Sequence, residues 1–261
     1  MSNRLPSTVL LLTSALLSAC THSPGSADDG YQRLMRLAGD LQHRGDNASA
    51  AALYENASQQ PGQHPEAWLK LGDTRLAAGD ARGAERAYQQ TLALQADNPD
   101  ALLGLGTAQL RQGKLERAVT VLTQAAAASD RPAAWNRLGI AQILQGQASA
   151  AQAAFDKSLS LAPNDLDTRC NLALAYALGG QAQLALHNID RVARSPQALP
   201  RHQRNELLVK VLAGREQDAA RLALDDVPAS ERQALLAEAK RIKAMTDPQA
   251  QARALGLVDT R

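Results

Sequence analysis

The stretch from Pro132 to Asp165 reads P-A-A-W-N-R-L-G-I-A-Q-I-L-Q-G-Q-A-S-A-A-Q-A-A-F-D-K-S-L-S-L-A-P-N-D. Trp135, Leu138, Gly139 and Gln142 stand at i, i+3, i+4 and i+7, the spacing of one helix face. Gly146 interrupts that helix. Ala151, Phe155, Ser158 and Leu159 then mark one face of a second helix. Pro163-Asn164-Asp165 closes the unit, because proline neither donates a backbone hydrogen bond nor fits inside a helix. The stretch is one helix–turn–helix unit, 34 residues long.

The unit recurs. Gly45, Gly79, Gly113, Gly146, Gly180 and Gly214 follow one another at steps of 34, 34, 33, 34 and 34. Ala50, Ala84, Ala118, Ala151, Ala185 and Ala219 trail them at a fixed offset of five. Tyr54, Tyr88, Leu122, Phe155, Ile189 and Ala223 come four positions later. Leu71-Gly72, Leu105-Gly106, Leu138-Gly139 and Leu172-Ala173 mark the first helices. Each column has a physical reason. Glycine turns the chain without steric cost, alanine lets two helices approach, and the large residue fills the gap to the next unit.

Helix pairs at this period resemble the tetratricopeptide repeat (TPR). The expected fold is all-α, a right-handed superhelical TPR solenoid of about six helix pairs plus a C-terminal capping helix. The solenoid spans 31–224, with repeats at about 31–64, 65–98, 99–131, 132–165, 166–199 and 200–224. The first repeat lacks the Trp and Leu-Gly marks, as expected of a terminal unit with one face in water. The capping helix is expected within 225–245, with Ser230 as its N-cap and Leu235, Leu236, Ala239 and Ile242 as its apolar face. Residues 246–261 have weak periodicity and read as a tail, with a short helix near Gln249–Leu255.

Aromatic residues make up only 3% of the chain, which suits helices packed closely on alanine. Lys and Arg total 28 against 26 Asp and Glu, so no basic field argues for nucleic acid.

Residues 1–19 read as a lipoprotein signal peptide. Arg4 supplies a positive start, and Val9 to Leu17 form an apolar core too short to span a bilayer. Leu17-Ser18-Ala19-Cys20 resembles the bacterial lipobox. That resemblance implies that Cys20 becomes the mature N-terminus and carries a covalent lipid. Several acyl chains together anchor a protein stably. Thr21 follows the cysteine where Asp is the usual retention signal, which implies sorting to the periplasmic face of the outer membrane. Residues 20–30 then form a lipidated, polar N-terminal tether.

Chemistry-bearing residues are sparse. Once Cys20 is acylated, Cys170 has no disulfide partner. His22, His43, His64, His187 and His202 lack metal-ligand spacing. No paired carboxylates and no phosphate-cradling loop stand out. The expectation is no enzyme, no catalytic residues, no metal, no small-molecule substrate, and no cofactor beyond the lipid on Cys20.

A TPR stack instead offers a concave groove lined by its first helices. The register places Leu69 and Leu76, then Leu103 and Leu110, along it. Asn136, Arg137, Ile140, Ile143 and Leu144 follow from the fourth repeat, and Asn171, Leu174 and Leu178 from the fifth. This gives an apolar stripe through repeats three to five, interspersed with asparagines. Such a stripe, if exposed, marks a partner site, and an amphipathic helix is its natural guest.

Two blocks sharpen the reading. L-A-P-N-D-L-D-T-R-C-N-L-A-L-A-Y-A-L-G-G-Q (161–181) and R-N-E-L-L-V-K-V-L-A-G-R-E-Q-D-A-A-R-L-A (204–223) resemble the TPR lipoprotein of the tight-adherence (Tad/Flp) pilus system, the TadD family. Cys170, Glu206 and Lys210 depart from its pattern. The resemblance implies a pilotin-like outer-membrane lipoprotein that helps the Tad secretin assemble, with a secretin subunit or another pilus-assembly protein as partner. The alternative is a lipid-anchored TPR scaffold for another envelope assembly, either a type IV pilus pilotin or polysaccharide or cell-wall machinery.

Overall fold

The computed structural model describes residues 27–224 and 227–256. Those residues form helices joined by short turns, with no strand among them. In chain order the helices are α1 (Ala27–His43), α2 (Asn47–Ser58), α3 (Pro65–Ala77), α4 (Ala81–Leu94), α5 (Pro99–Arg111), α6 (Leu115–Ala128), α7 (Pro132–Leu144) and α8 (Ala148–Leu161). Then come α9 (Leu166–Leu178), α10 (Ala182–Ala193), α11 (Pro200–Leu212), α12 (Glu216–Ala220), α13 (Ala229–Lys243) and α14 (Pro248–Ala254). The signal peptide, the lipobox and Cys20 lie outside the described residues.

Local chemistry sets the helix ends. Pro65, Pro99, Pro132 and Pro200 open α3, α5, α7 and α11, where the missing N–H is no loss and the fixed φ suits a helix. Asp80 caps α4 by accepting from the Gly83 amide at 2.8 Å, and Asp165 caps α9 by accepting from the Thr168 amide at 3.2 Å. Each repeat turn passes through a glycine at positive φ, from Gly45 to Gly214.

Each second helix packs against its own first helix and against the first helix of the next repeat. Successive first helices also meet: α3 with α5, α5 with α7, α7 with α9, and α9 with α11. No successive pair of second helices is in comparable contact. The stack therefore curves, with the first helices on its inner face. This is a TPR solenoid.

The close fit has a specific lock. A Cβ on Gly139 would lie 2.6 Å from the Phe155 ring, and one on Gly104 would lie 2.3 Å from the Tyr88 ring. Phe155 and Tyr88 are themselves fully buried. Burying a phenylalanine contributes about 2–3 kcal/mol, and only glycine leaves the space to do so here.

Two boundaries differ from the sequence reading. The first helix begins at Ala27 rather than at 31, so the last residues of the expected tether are helical. In the sixth repeat the second helix shrinks to the five residues of α12. The capping helix α13 packs on α11 in its stead, burying Ala239 and Ile242. The expected short tail helix is α14, and it docks against α7.

Candidate functional site

The concave face is built from α3, α5, α7 and α9, and the structure divides the expected lining residues into two sets. Leu69, Leu76, Leu103, Asn136, Arg137 and Leu178 are half-buried. Leu110, Ile140, Ile143, Leu144 and Leu174 are 3, 2, 1, 2 and 1% exposed, and Asn171 is 4% exposed. The expected open apolar stripe through repeats three to five therefore does not exist as such. Neighbouring helices close over its positions, with α14 among them at the end of α7. Periodicity within one helix cannot show what an adjacent helix will cover.

The asparagines are also committed. Asn171 donates through Nδ2 to Asn136 Oδ1 at 3.2 Å, and Asn136 donates to Thr168 Oγ1 at 2.6 Å. Thr168 in turn donates to Asp165 Oδ2 at 2.6 Å. This chain joins α7 to α9, so the asparagines serve the stack as well as the groove.

Beside it lies a cavity of about 420 Å³, lined by Ala133, Asn136, Arg137, Ile140 and Asn171 together with Asp165 and Asp167. Burial, reinforced by the Arg111 charge, holds the Arg137 guanidinium below the ordinary arginine range. No carboxylate pairs with Arg137 among the described residues. The two nearby acids are engaged elsewhere. Asp165 caps α9, while Asp167 takes two hydrogen bonds of 2.8 Å from Arg201 and one of 2.9 Å with His202. Arg111 donates through Nη1 to the Leu76 carbonyl at 2.7 Å. The open part of the groove is thus Leu69, Leu76 and Leu103 running toward two arginines, a surface suited to an apolar segment bearing an acidic side chain.

Among the described residues, the other candidate side chains are bland. Burial pushes the Cys170 thiol up to about 12, so the side chain packs as a small apolar group. His202 is buried and accepts from the Leu199 amide at 3.0 Å while facing Asp167 through its other ring nitrogen. No group of three or more His, Cys, Asp or Glu could hold a metal among the described residues. No described helix is long and apolar enough to cross a membrane.

Sequence reasoning missed the docking of α14. Its signals were Asp247-Pro248, a capping residue before a proline at the first helical position, and Ala252 with Leu255 one turn apart. Seven residues are too few for periodicity to assign a face.

These features define a TPR-repeat protein, a fold of protein-interaction scaffolds. Comparison with known proteins agrees. A tetratricopeptide repeat model matches residues 132–165, and a model of the cilia and flagella-associated protein 70 middle TPR-like domain matches residues 34–134. The solved structure of pilF from Pseudomonas aeruginosa superposes with a TM-score of 0.62 at 18% identity, covering 88% of this chain and 99% of that one. PilW, described as a widely conserved type IV pilus biogenesis factor, superposes at 0.65 with 19% identity, covering 86% and 98%. At these identities the likeness is one of fold. The cellulose synthase operon protein C of Xanthomonas axonopodis pv. citri is 30% identical over 169 residues. That match takes in 61% of this chain and only 11% of the much longer relative.

Proposed function

We propose that this protein is a lipoprotein anchored through Cys20 at the periplasmic face of the outer membrane, where it acts as a pilotin-like assembly factor for the secretin of a Tad pilus system. The observation that carries the reading is a lipobox-like Leu17-Ser18-Ala19-Cys20 joined to a solenoid of the same extent as PilF and PilW. The blocks at 161–181 and 204–223 favour the Tad branch. In this mechanism the lipid holds the solenoid beside the bilayer, and the groove takes an amphipathic segment of the secretin subunit. Leu69, Leu76 and Leu103 cover its apolar face, while Arg111 and Arg137 meet an acidic side chain. Covering that segment keeps the subunit from aggregating in the periplasm.

Two arms test this. Labelled palmitate is expected to enter the wild type and not Cys20→Ser, and Cys20→Ser is expected to leave the membrane pellet. Co-purification from detergent-solubilised envelopes is expected to recover the Tad secretin with the wild type. Leu103→Asp combined with Arg137→Glu is expected to recover at least tenfold less, in keeping with central groove contacts worth more than about 1 kcal/mol each. A palmitate-free wild type, or undiminished secretin recovery with the double variant, contradicts the reading.

The similarity to the cellulose synthase operon protein favours a second reading, a lipid-anchored scaffold for polysaccharide machinery. Recovery of glycan-synthesis proteins in place of the secretin in the same co-purification would select it.

A further inference from the structure

Six repeat turns carry glycines at positive φ: Gly45, Gly79, Gly113, Gly146, Gly180 and Gly214. At five of them a Cβ would meet nothing within 4 Å. At Gly146 it would lie 3.1 Å from the Pro248 Cβ and 3.8 Å from the Gln249 amide nitrogen. One turn of the six is therefore covered, and the cover is α14.

The contact is apolar and local. Ala252 is fully buried in the cluster that holds Ile140, Ile143 and Leu144, with Leu255 packed beside it. Gln249 Nε2 donates to the Gln145 carbonyl at 3.4 Å, a long and weak bond. Gln251 Nε2 donates to the Ile242 carbonyl at 3.1 Å and ties α14 to α13 rather than to the groove. The fit is incomplete. A cavity of about 450 Å³ remains beside α14, lined by Ile143, Ala148, Leu178 and Gly179 as well as α14 itself. A helix of seven residues is marginal in water by itself, so α14 holds its shape through this seat. Its departure would uncover Ile143 and enlarge an apolar hollow already open at Leu178.

We propose that the end of α7, with the turns after α7 and α9, is a docking seat for a short helix, and that α14 is its resting occupant. A partner's helix of like chemistry displaces α14: a small residue at the centre, a leucine three positions on, and enough bulk to fill the cavity that α14 leaves open. Secretin capture through this seat would rest on the function proposed above. The seat itself does not.

The test uses the full chain and no secretin. Ala252→Glu is made to eject α14, and a fluorescent peptide of residues 246–261 is titrated by anisotropy. The peptide is expected to bind Ala252→Glu saturably and at least tenfold more tightly than the wild type, whose own α14 competes. Adding Leu178→Asp is expected to abolish that binding. Equal binding to both proteins, or no binding to an Ala252→Glu protein with wild-type circular dichroism, overturns the proposal. Hydrogen exchange on the wild type gives a second readout. Amides of α14 are expected to exchange far faster than those of α7, and equal protection would make α14 a fixed part of the fold. A dimer whose α14 protection falls on dilution would also overturn the proposal, by giving the seat to a second copy.

Discussion

Gly139 and Phe155 show how the solenoid is specified residue by residue. A glycine column and a large-residue column are both visible in the sequence, but their contact is not, because the two residues sit on different helices. The structure joins them, with the Phe155 ring occupying the space a Cβ on Gly139 would fill. Gly139→Ala is therefore expected to cost about 1–3 kcal/mol through overpacking. Urea unfolding checks this as a lower midpoint at an unchanged slope. Cys170 gives a second prediction. With its thiol pushed up to about 12 by burial, little thiolate exists at pH 8. Ellman's reagent is expected to react with it only as fast as the protein unfolds, and prompt reaction of the folded chain would contradict its placement.

Helix positions were legible from periodicity, proline and glycine; which helix faces stay open was not. Leu110, Ile140, Ile143, Leu144 and Leu174 obey the same first-helix register as Leu69 and Leu103, yet neighbouring elements bury the first five. The couplings between first helices were equally hidden, since they join residues 31 and 34 positions apart. The Arg201–Asp167 pair links α9 to α11, and the Arg131–Asp100 pair links the residue just before α7 to α5. Hydrogen bonds from Arg201, helped by His202, hold the Asp167 carboxyl below its ordinary value near 3.8. A carboxylate depressed in the folded state adds stability above its unfolded value and loses it as pH falls through the folded one. Asp167→Asn is thus expected to lower the urea midpoint at pH 7, with the difference closing as pH drops below that range. A difference that persists at low pH would contradict an electrostatic role. Because both partners are about half exposed, the effect is expected to be small.

At the scale of the whole molecule, the function proposed above assigns location to an acyl anchor on Cys20 and recognition to the curved stack. The repeat count and the all-helical class were readable from the glycine and alanine columns alone. The working surface was only half readable, because curvature and the return of α14 decide how much of the inner face reaches solvent. In the proposed function the inner face, not the outer one, receives the partner. A photoreactive amino acid placed at Leu103, on the inner face, and separately at Gln90, exposed on α4, tests it most directly in intact envelopes. A crosslink to the Tad secretin is expected from position 103 and none from position 90. A secretin crosslink from position 90 with none from 103 would contradict it.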